Sequence, residues 1–312
     1  MAGDTAQIGQ CYNDSEFTSS SGFVLTLSGS TTDSTHTITL TTGTGQSFAD
    51  NANKLTNAPV YNQSNGVGLK STAAYAGVMG GTDDYVIIRG IQTKGTVTTS
   101  GGVDGFSMAD AWFDGLICES TGIVNSDHFA AFGIYGAGAK ATNCIGIQRS
   151  SAAHHIVSCG NSAKLINCTL IAPSDLATKS TVGINGSYGA CVIKNCAVFG
   201  ATAVAGGSST FSFTTCMTDV ASPPTGCTSE TFANQFQNTT TASLDPRLKT
   251  GANCLDTATT DSTDIPAAID VVGTSRPQGS AWDIGAWELV VAAAGGNVPY
   301  NPWPQAAPVL AQ

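Results

Sequence analysis

A short strand-like segment recurs along the middle of this 312-residue chain at intervals of about 25 residues. A period in this range is typical of stacked repeat architectures, and each coil of a parallel β-helix contributes a few short strands separated by turns. We therefore predict an all-β chain that folds as a single right-handed parallel β-helix with about 25 residues per coil. The copies are Tyr85–Ile91, Trp112–Cys118, Ala141–Ile145, Leu165–Leu170, Val192–Val198 and Phe211–Cys216.

Aligning the copies makes one position of each coil equivalent. Stacked coils place equivalent residues above one another at the strand spacing of about 4.8 Å. The cysteines at this position are predicted to fill the interior as small, apolar side chains rather than to act as nucleophiles. An asparagine that precedes each of three cysteines is predicted to lie at a bend, where its amide satisfies turn backbone. The aligned positions are Ile91, Leu116, Cys144, Cys168, Cys196 and Cys216, and the asparagines are Asn143, Asn167 and Asn195.

The amino-acid composition restricts the classes of fold and function that fit this chain. Only 11% of residues are charged and 36 are glycine, which favours strands and turns. The formal net charge of −10 argues against a nucleic-acid partner, and scattered cations do not promise a groove for acidic sugars. The ten cysteines include no CxxC pair, and the four histidines do not have zinc-ligand spacing, so reduced thiols, no metal and no cofactor are expected.

The N-terminal and C-terminal segments of the chain have different sequence patterns. The N-terminus does not have the pattern of a secretory signal peptide, and no apolar run reaches the roughly 20 residues that span a bilayer. We expect residues 1–50 to form a cap and first strands, 51–290 the β-helix, and 291–312 an extended Pro-rich arm. The arm suits docking on another subunit at low entropic cost. Its predicted partner-binding residues are Pro299, Tyr300, Pro302, Trp303 and Pro304.

A motif near the C-terminus carries a resemblance. Residues 276–288 read RPQGSAWDIGAWE, which fits the pattern RPxGxxxDIGAxE. The pattern resembles the closing module of right-handed parallel β-helix surface proteins found among bacterial extracellular proteins and bacteriophage virion proteins. The motif is interpreted as structural, with Arg276 pairing with Asp283, Glu288 and the nearby Asp270 in a charge-assisted network. The resemblance implies the fold much more than the function.

Candidate catalytic groups are sparse. Asp83-Asp84 suits a turn as well as a glycosidase pair, and Arg247-Leu-Lys249 lacks the companion motifs of polygalacturonase-like hydrolases. The dipeptides Asp127-His128 and His154-His155 could each supply a general base, but no nucleophile motif such as GxSxG accompanies them. We therefore expect no enzymatic activity. Aromatic side chains that indicate either a glycan groove or ordinary packing are Trp112, Phe113, Phe129, Phe132 and Tyr135.

These observations predict a non-enzymatic structural virion protein, namely a capsid decoration (cement) protein of a bacteriophage, assembled in the host cytoplasm. Its expected partners are the major capsid protein and copies of itself, with a trimer as one expected form. Two alternatives remain open at this point. One is a phage tailspike or a carbohydrate-binding or depolymerising β-helix, and the other is a bacterial surface adhesin.

Overall fold

The computed structural model describes residues 6–73, 78–81, 83–97, 106–109, 111–122, 131–150, 155–186 and 189–290. The strands in chain order are β1 (Gln7–Cys11), β2 (Phe17–Ser19), β3 (Leu25–Leu27), β4 (Ile38–Thr42), β5 (Gly68–Ser71), β6 (Met79–Gly81), β7 (Val86–Arg89), β8 (Gln92–Val97), β9 (Phe106–Ala109), β10 (Trp112–Asp114), β11 (Ile117–Gly122), β12 (Phe132–Tyr135), β13 (Lys140–Thr142), β14 (Ile145–Gln148), β15 (His155–Gly160), β16 (Lys164–Ile166), β17 (Thr169–Ile171), β18 (Ser180–Gly186), β19 (Ala190–Lys194), β20 (Ala197–Phe199), β21 (Ala201–Gly207), β22 (Thr210–Thr214), β23 (Cys216–Thr218), β24 (Cys227–Ser229), β25 (Phe236–Asn238) and β26 (Asp245–Leu248). The helices of the same residues are short: α1 (Phe48–Asn51), α2 (Phe232–Gln235) and the 3-10 turns Gln63–Asn65 and Thr241–Ser243.

Three parallel sheets account for β1 to β24. The first sheet has the order β1-β4-β7-β10-β13-β16-β19-β22, the second β2-β5-β8-β11-β14-β17-β20-β23-β24 and the third β21-β18-β15-β12-β9-β6-β3. Successive strands enter the three sheets in rotation, so each strand from β1 to β20 pairs with the strand three places later. The chain is thus all-β and consists mainly of parallel strands, as the repeat predicts. A separate antiparallel pair, β25–β26, follows.

The register of the second sheet defines an interior column. Ile117 pairs with Gln92 on one side and with Ile145 on the other, and the same register continues through Thr169, Ala197 and Met217. The residue before each member of this row lies inside the three sheets. This column contains Ile91, Leu116, Cys144, Cys168, Cys196 and Cys216, all buried, and it ends with Cys227, which pairs with Cys216.

The thiols of this column are more than apolar filling. Cys168 Sγ lies 3.4 Å from the carbonyl oxygen of Ala141, and Cys196 Sγ lies 3.4 Å from that of Leu165, each on the preceding coil. A thiol is a weak donor, so it fills the narrow interior and offers these buried carbonyl groups a hydrogen bond.

We expect Cys168→Ala to lower the free energy of unfolding by about 1–2 kcal/mol, because it leaves a small cavity and removes the S–H donor. Urea denaturation followed by circular dichroism measures the change. Cys11→Ala is the matched control, because Cys11 lies half-buried on the first strand. Equal losses at the two positions would show that stacking in the column adds nothing.

The bend between the first and second sheets has a left-handed residue in successive coils. Asn143, Asn167 and Asn195 have φ of 53°, 50° and 54°. The preceding coils have glycine here, Gly90 (φ 67°) and Gly115 (φ 63°). Glycine and asparagine adopt this conformation at lower cost than other residues, so the Asn-Cys dipeptide is a bend followed by an interior position.

Residues 230–290, here named the C-terminal cover, add no strand to the three sheets within the described chain. They lie on the outer face of the second sheet and bury a second apolar cluster there. Phe199 of β20 contacts Phe232 and Phe236 with ring centroids 5.3 and 5.2 Å apart. Other members of this cluster are Ile117, Ile145, Ile147, Ile171, Leu244, Leu248, Ile265, Val271, Trp282, Ile284 and Trp287. Both faces of the second sheet are therefore apolar over these coils.

Candidate interaction surfaces

The C-terminal motif forms a buried network inside the cover. Arg276 donates from Nη1 to Glu288 Oε2 at 3.0 Å and to the carbonyl oxygen of Asp283 at 3.0 Å. Its Nη2 donates to the carbonyl oxygen of Gly285 at 2.8 Å. The Arg276 and Glu288 side chains are essentially inaccessible to solvent. The structure thus brings together Arg276 and Glu288, whereas Asp283 meets the guanidinium through its backbone carbonyl.

The carboxylates of this network bind backbone amides. Asp283 accepts from the amides of Asp256 (2.8 Å) and Leu289 (2.7 Å), and Asp270 accepts from the amide of Glu288 at 3.0 Å. Burial raises the pKa of Asp270 and of Glu288. Burial and the neighbouring Glu288 charge raise the pKa of Asp283 to about 6. These carboxylates therefore connect the loops of the cover through hydrogen bonds to backbone amides.

The asparagine bends anchor the cover to the sheets. Asn195 Nδ2 donates to Asn167 Oδ1 at 3.1 Å and to the carbonyl oxygen of Thr259 at 2.7 Å. Asn195 Oδ1 accepts from the Thr259 amide at 3.1 Å. Asn167 Nδ2 donates to the Asp283 carbonyl oxygen at 3.3 Å, and Asn143 Oδ1 lies 3.5 Å from Arg276 Nη2. The asparagine row and the motif form one polar connection between coils and cover.

We expect this network to make stability depend on pH. The pKa of Asp283 rises from 3.8 to about 6 on folding, so the folded state binds this proton more tightly than the unfolded state. Its stabilising contribution is complete below pH 4 and is lost as pH rises through 6. The pKa values of Asp175 and Asp261 are lowered by hydrogen bonds to neighbouring groups, and their contribution changes below pH 4.

Urea unfolding between pH 4.5 and pH 7 measures this window. The free energy of unfolding should fall with rising pH in the wild type and fall less in Asp283→Asn. The substitution is also expected to destabilise the chain at every pH, because one of two backbone amides loses its acceptor. An unchanged pH dependence in the variant would exclude Asp283 as the titrating group.

Several of the side chains considered as catalytic candidates form hydrogen bonds or ion pairs within the fold, where the structure describes them. Asp83 is buried and accepts from the Ser30 amide at 3.1 Å, and Arg247 pairs with Asp245 through Nε at 2.9 Å. His155 Nε2 lies 2.8 Å from Ser158 Oγ on the same strand, with both residues buried. Such a bond satisfies two buried polar groups. Asp127, His128 and His154 lie outside the described residues.

The aromatic residues that indicated either a glycan groove or ordinary packing lie in different surroundings where the structure describes them. Phe113 and Phe132 are fully buried interior residues that pack edge to face at 6.4 Å. Trp112 lies on the outer face of the first sheet, with the cations of Arg89 and Lys140 at 4.6 and 4.1 Å from its ring centroid. For Phe113 and Phe132 the structure thus shows ordinary packing, which is one of the two alternatives that the sequence left open. Phe129 lies outside the described residues, as does the arm with Pro299, Tyr300, Pro302, Trp303 and Pro304.

The N-terminal end of the three sheets, formed by β1, β2, β3 and their turns, exposes large apolar side chains. Ile8 is 51% exposed, Tyr12 53%, Phe17 38% and Phe23 44%. The strands β1, β2 and β3 are each the terminal strand of their sheet. This N-terminal end combines apolar contact area with the terminal strand of each sheet, and such a combination is typical of docking surfaces.

The opposite end has a groove, here named the end groove, with a volume of about 760 Å³. Phe211 and Phe213 of β22 stack with centroids 6.0 Å apart at its wall, and the loop with Val220 and Pro223 forms the other side. β21, β22 and β24 are the terminal strands here. The described residues therefore close both ends of the interior core only in part.

Sequence reasoning missed both surfaces as specific sites. The repeat predicts that a stack has two ends, but it does not show which side chains remain uncovered there. The available signal is the absence of charged residues and proline from the terminal strands β1, β2, β21 and β22. Inner strands of the first sheet carry Arg89, Lys140 and Lys164 by contrast, whereas the inner strands β14, β17 and β20 of the second sheet are uncharged as well.

The described residues contain neither a metal-binding cluster nor a membrane-spanning helix. No group of three or more His, Cys, Asp or Glu side chains in that part of the chain has the arrangement to hold a metal ion. No helix there is long and apolar enough to cross a membrane.

The comparisons with known proteins give no relative. No family model matches the sequence. No curated protein matches it, and no solved structure matches it.

Proposed function

We propose that the chain is a right-handed parallel β-helix that serves as a non-enzymatic structural protein of a virus particle. The rotation of successive strands through three parallel sheets supports the helix, and connections between parallel strands are right-handed in about 98% of cases. We propose more specifically a capsid decoration protein of a bacteriophage, assembled in the host cytoplasm, that binds the major capsid protein and copies of itself.

The single observation that carries this proposal is the N-terminal end. Ile8, Tyr12, Phe17 and Phe23 are exposed beside terminal strands in all three sheets. Exposed apolar patches joined to free strand edges mark protein-binding surfaces or aggregation sites. A partner that covers this end removes the liability, and a shell of repeated subunits offers such a partner in many copies.

Quantitative mass spectrometry of purified particles tests the proposal. We expect a copy number comparable to that of the major capsid protein, since a decoration protein binds a repeated shell subunit. A handful of copies per particle would instead indicate a tail fibre or spike. Absence from particles would exclude a virion role.

A further inference from the structure

Two cysteines on neighbouring strands finish the interior column on the side of the end groove. Cys216 of β23 and Cys227 of β24 are direct register partners in a parallel pair, and both side chains pack in the interior core. They therefore lie on the same face of the sheet, one above the other. Neighbouring strands are about 4.8 Å apart, and disulfides join residues whose Cα atoms are about 4.4–6.8 Å apart. The fold thus places the two residues at a separation that a disulfide can bridge.

Solvent access distinguishes this pair from the rest of the column. Cys227 is half-buried and lies on the terminal strand of the second sheet. Cys11 is also half-buried, but its register partner is Thr42. The other cysteines are buried, namely Cys118, Cys144, Cys159, Cys168, Cys191, Cys196, Cys216 and Cys254. Of the ten cysteines, all of which the structure describes, only Cys227 therefore combines solvent access with a cysteine as its register partner.

The chain between the two cysteines forms one wall of the end groove. Residues 220–225 line the groove, and all of them lie between Cys216 and Cys227 in the sequence. The Cys216 amide donates to the carbonyl oxygen of Gly226 at 2.9 Å, and the Cys227 amide donates to that of Pro224 at 3.0 Å. These backbone hydrogen bonds hold the loop beside the two thiols. A bond between the two sulfur atoms closes a covalent ring that contains this whole wall.

We propose that Cys216 and Cys227 form a disulfide by exchange with a small-molecule disulfide such as oxidised glutathione, and that this bond fixes the wall of the end groove. The accessible Cys227 thiolate attacks one sulfur atom of the oxidant and releases the other as a small thiolate. The Cys216 thiolate then attacks the Cys227 sulfur of this mixed disulfide and releases the second small thiolate. The two cysteines are oxidised, the small disulfide is reduced to two thiols, and these take up the two protons that the cysteines lose.

The first step of this exchange depends on the thiolate of Cys227. A hydrogen bond with Cys216 and burial raise the pKa of Cys227 above its ordinary value, so the thiolate is scarce at neutral pH. Because the thiolate is the attacking form, the rate of disulfide formation should rise about tenfold per pH unit between pH 7 and pH 9.

Mass spectrometry of the purified full-length chain tests the pairing. The reduced chain is incubated with oxidised glutathione at pH 8 and its remaining thiols are alkylated. Proteolysis after Phe213 and before Asp219 then separates the two cysteines. We expect one principal cross-link, between Cys216 and Cys227, in a chain that runs as a monomer on non-reducing electrophoresis. Hydrogen–deuterium exchange of residues 220–229 should be at least about tenfold slower in the oxidised chain than in the reduced chain.

Two serine variants serve as matched controls. Cys227→Ser removes the accessible member of the pair and should abolish both the cross-link and the slower exchange. Cys11→Ser removes the other half-buried cysteine and should leave both unchanged. Circular dichroism before oxidation verifies that each variant folds.

Three results would overturn the proposal. If Cys227 carries glutathione while Cys216 stays reduced, the two sulfur atoms cannot be joined in the folded chain. If neither residue is oxidised even at pH 9, or if the principal disulfide joins other cysteines, this pair is excluded as the reactive site. If the cross-link forms and exchange of residues 220–229 is unchanged, the bond does not fix the wall of the groove.

Discussion

Arg276→Met is expected to lower the free energy of unfolding by about 3–5 kcal/mol, because it leaves a buried carboxylate without its partner. Glu288 loses the guanidinium 3.0 Å away, and the carbonyl oxygens of Asp283 and Gly285 lose their donors. The burial of this pair is what makes the loss large, since exposed ion pairs contribute about 0–1 kcal/mol. Urea unfolding followed by tryptophan fluorescence measures it, with Trp282 and Trp287 as reporters inside the cover.

Two further variants serve as controls for the result at Arg276. Lys179→Met removes a half-exposed ion pair with Asp219, at 3.3 Å, and should change stability by less than about 1 kcal/mol. Combining Arg276→Met with Glu288→Gln should recover part of the loss, because the uncompensated charge is removed. A loss at Arg276 no larger than that at Lys179 would contradict the assignment of the motif as the anchor of the cover.

Asn195→Ala is expected to cost about 3 kcal/mol through two separable effects. Asn195 has φ of 54°, and an alanine held in the left-handed region costs about 1–2 kcal/mol. The side chain also bonds the Thr259 amide and carbonyl group at 3.1 and 2.7 Å, and each hydrogen bond of this kind contributes about 0.5–1.5 kcal/mol. Urea unfolding at constant pH measures the total.

Glycine separates the two effects. Asn195→Gly keeps the conformation at no steric cost and loses only the hydrogen bonds, so it should be about 1 kcal/mol less damaging than Asn195→Ala. Thr215 is at the equivalent bend of a later coil with φ of 53°. A β-branched residue is strained there, so Thr215→Gly should stabilise the chain by about 0.5–1 kcal/mol. Equal effects of alanine and glycine at Asn195 would show that the bend imposes no conformational requirement.

The parallel sheets and the interior cysteine column could be predicted because each coil solves the same packing problem. The bend needs a left-handed residue and the next position needs a small interior side chain, so Asn-Cys recurs at residues 143–144, 167–168 and 195–196. The C-terminal cover shows no such recurrence, since each of its residues meets a different partner. Its position on the second sheet is visible in hindsight as Ile145 and Ile147, which face outward yet are apolar.

The interaction surfaces were less accessible to sequence reasoning. Exposure of Phe17 or Phe23 depends on what covers the first coil, and no local pattern records that. The C-terminal motif, by contrast, allowed a network around Arg276 to be predicted. A charged residue among glycine and aromatic residues is buried at low cost only if it is paired. Periodicity specifies architecture, and a function must be argued from surfaces.

Hydrogen–deuterium exchange tests the central proposal most directly, namely that the chain is a structural protein that assembles through its N-terminal end. The amides of β1, β2 and β3 are measured in the dilute purified chain and on assembled particles. We predict rapid exchange in the free chain and strong protection on particles, with little change in inner strands such as β13 and β16. Equal exchange of β1, β2 and β3 in the two states would contradict the account.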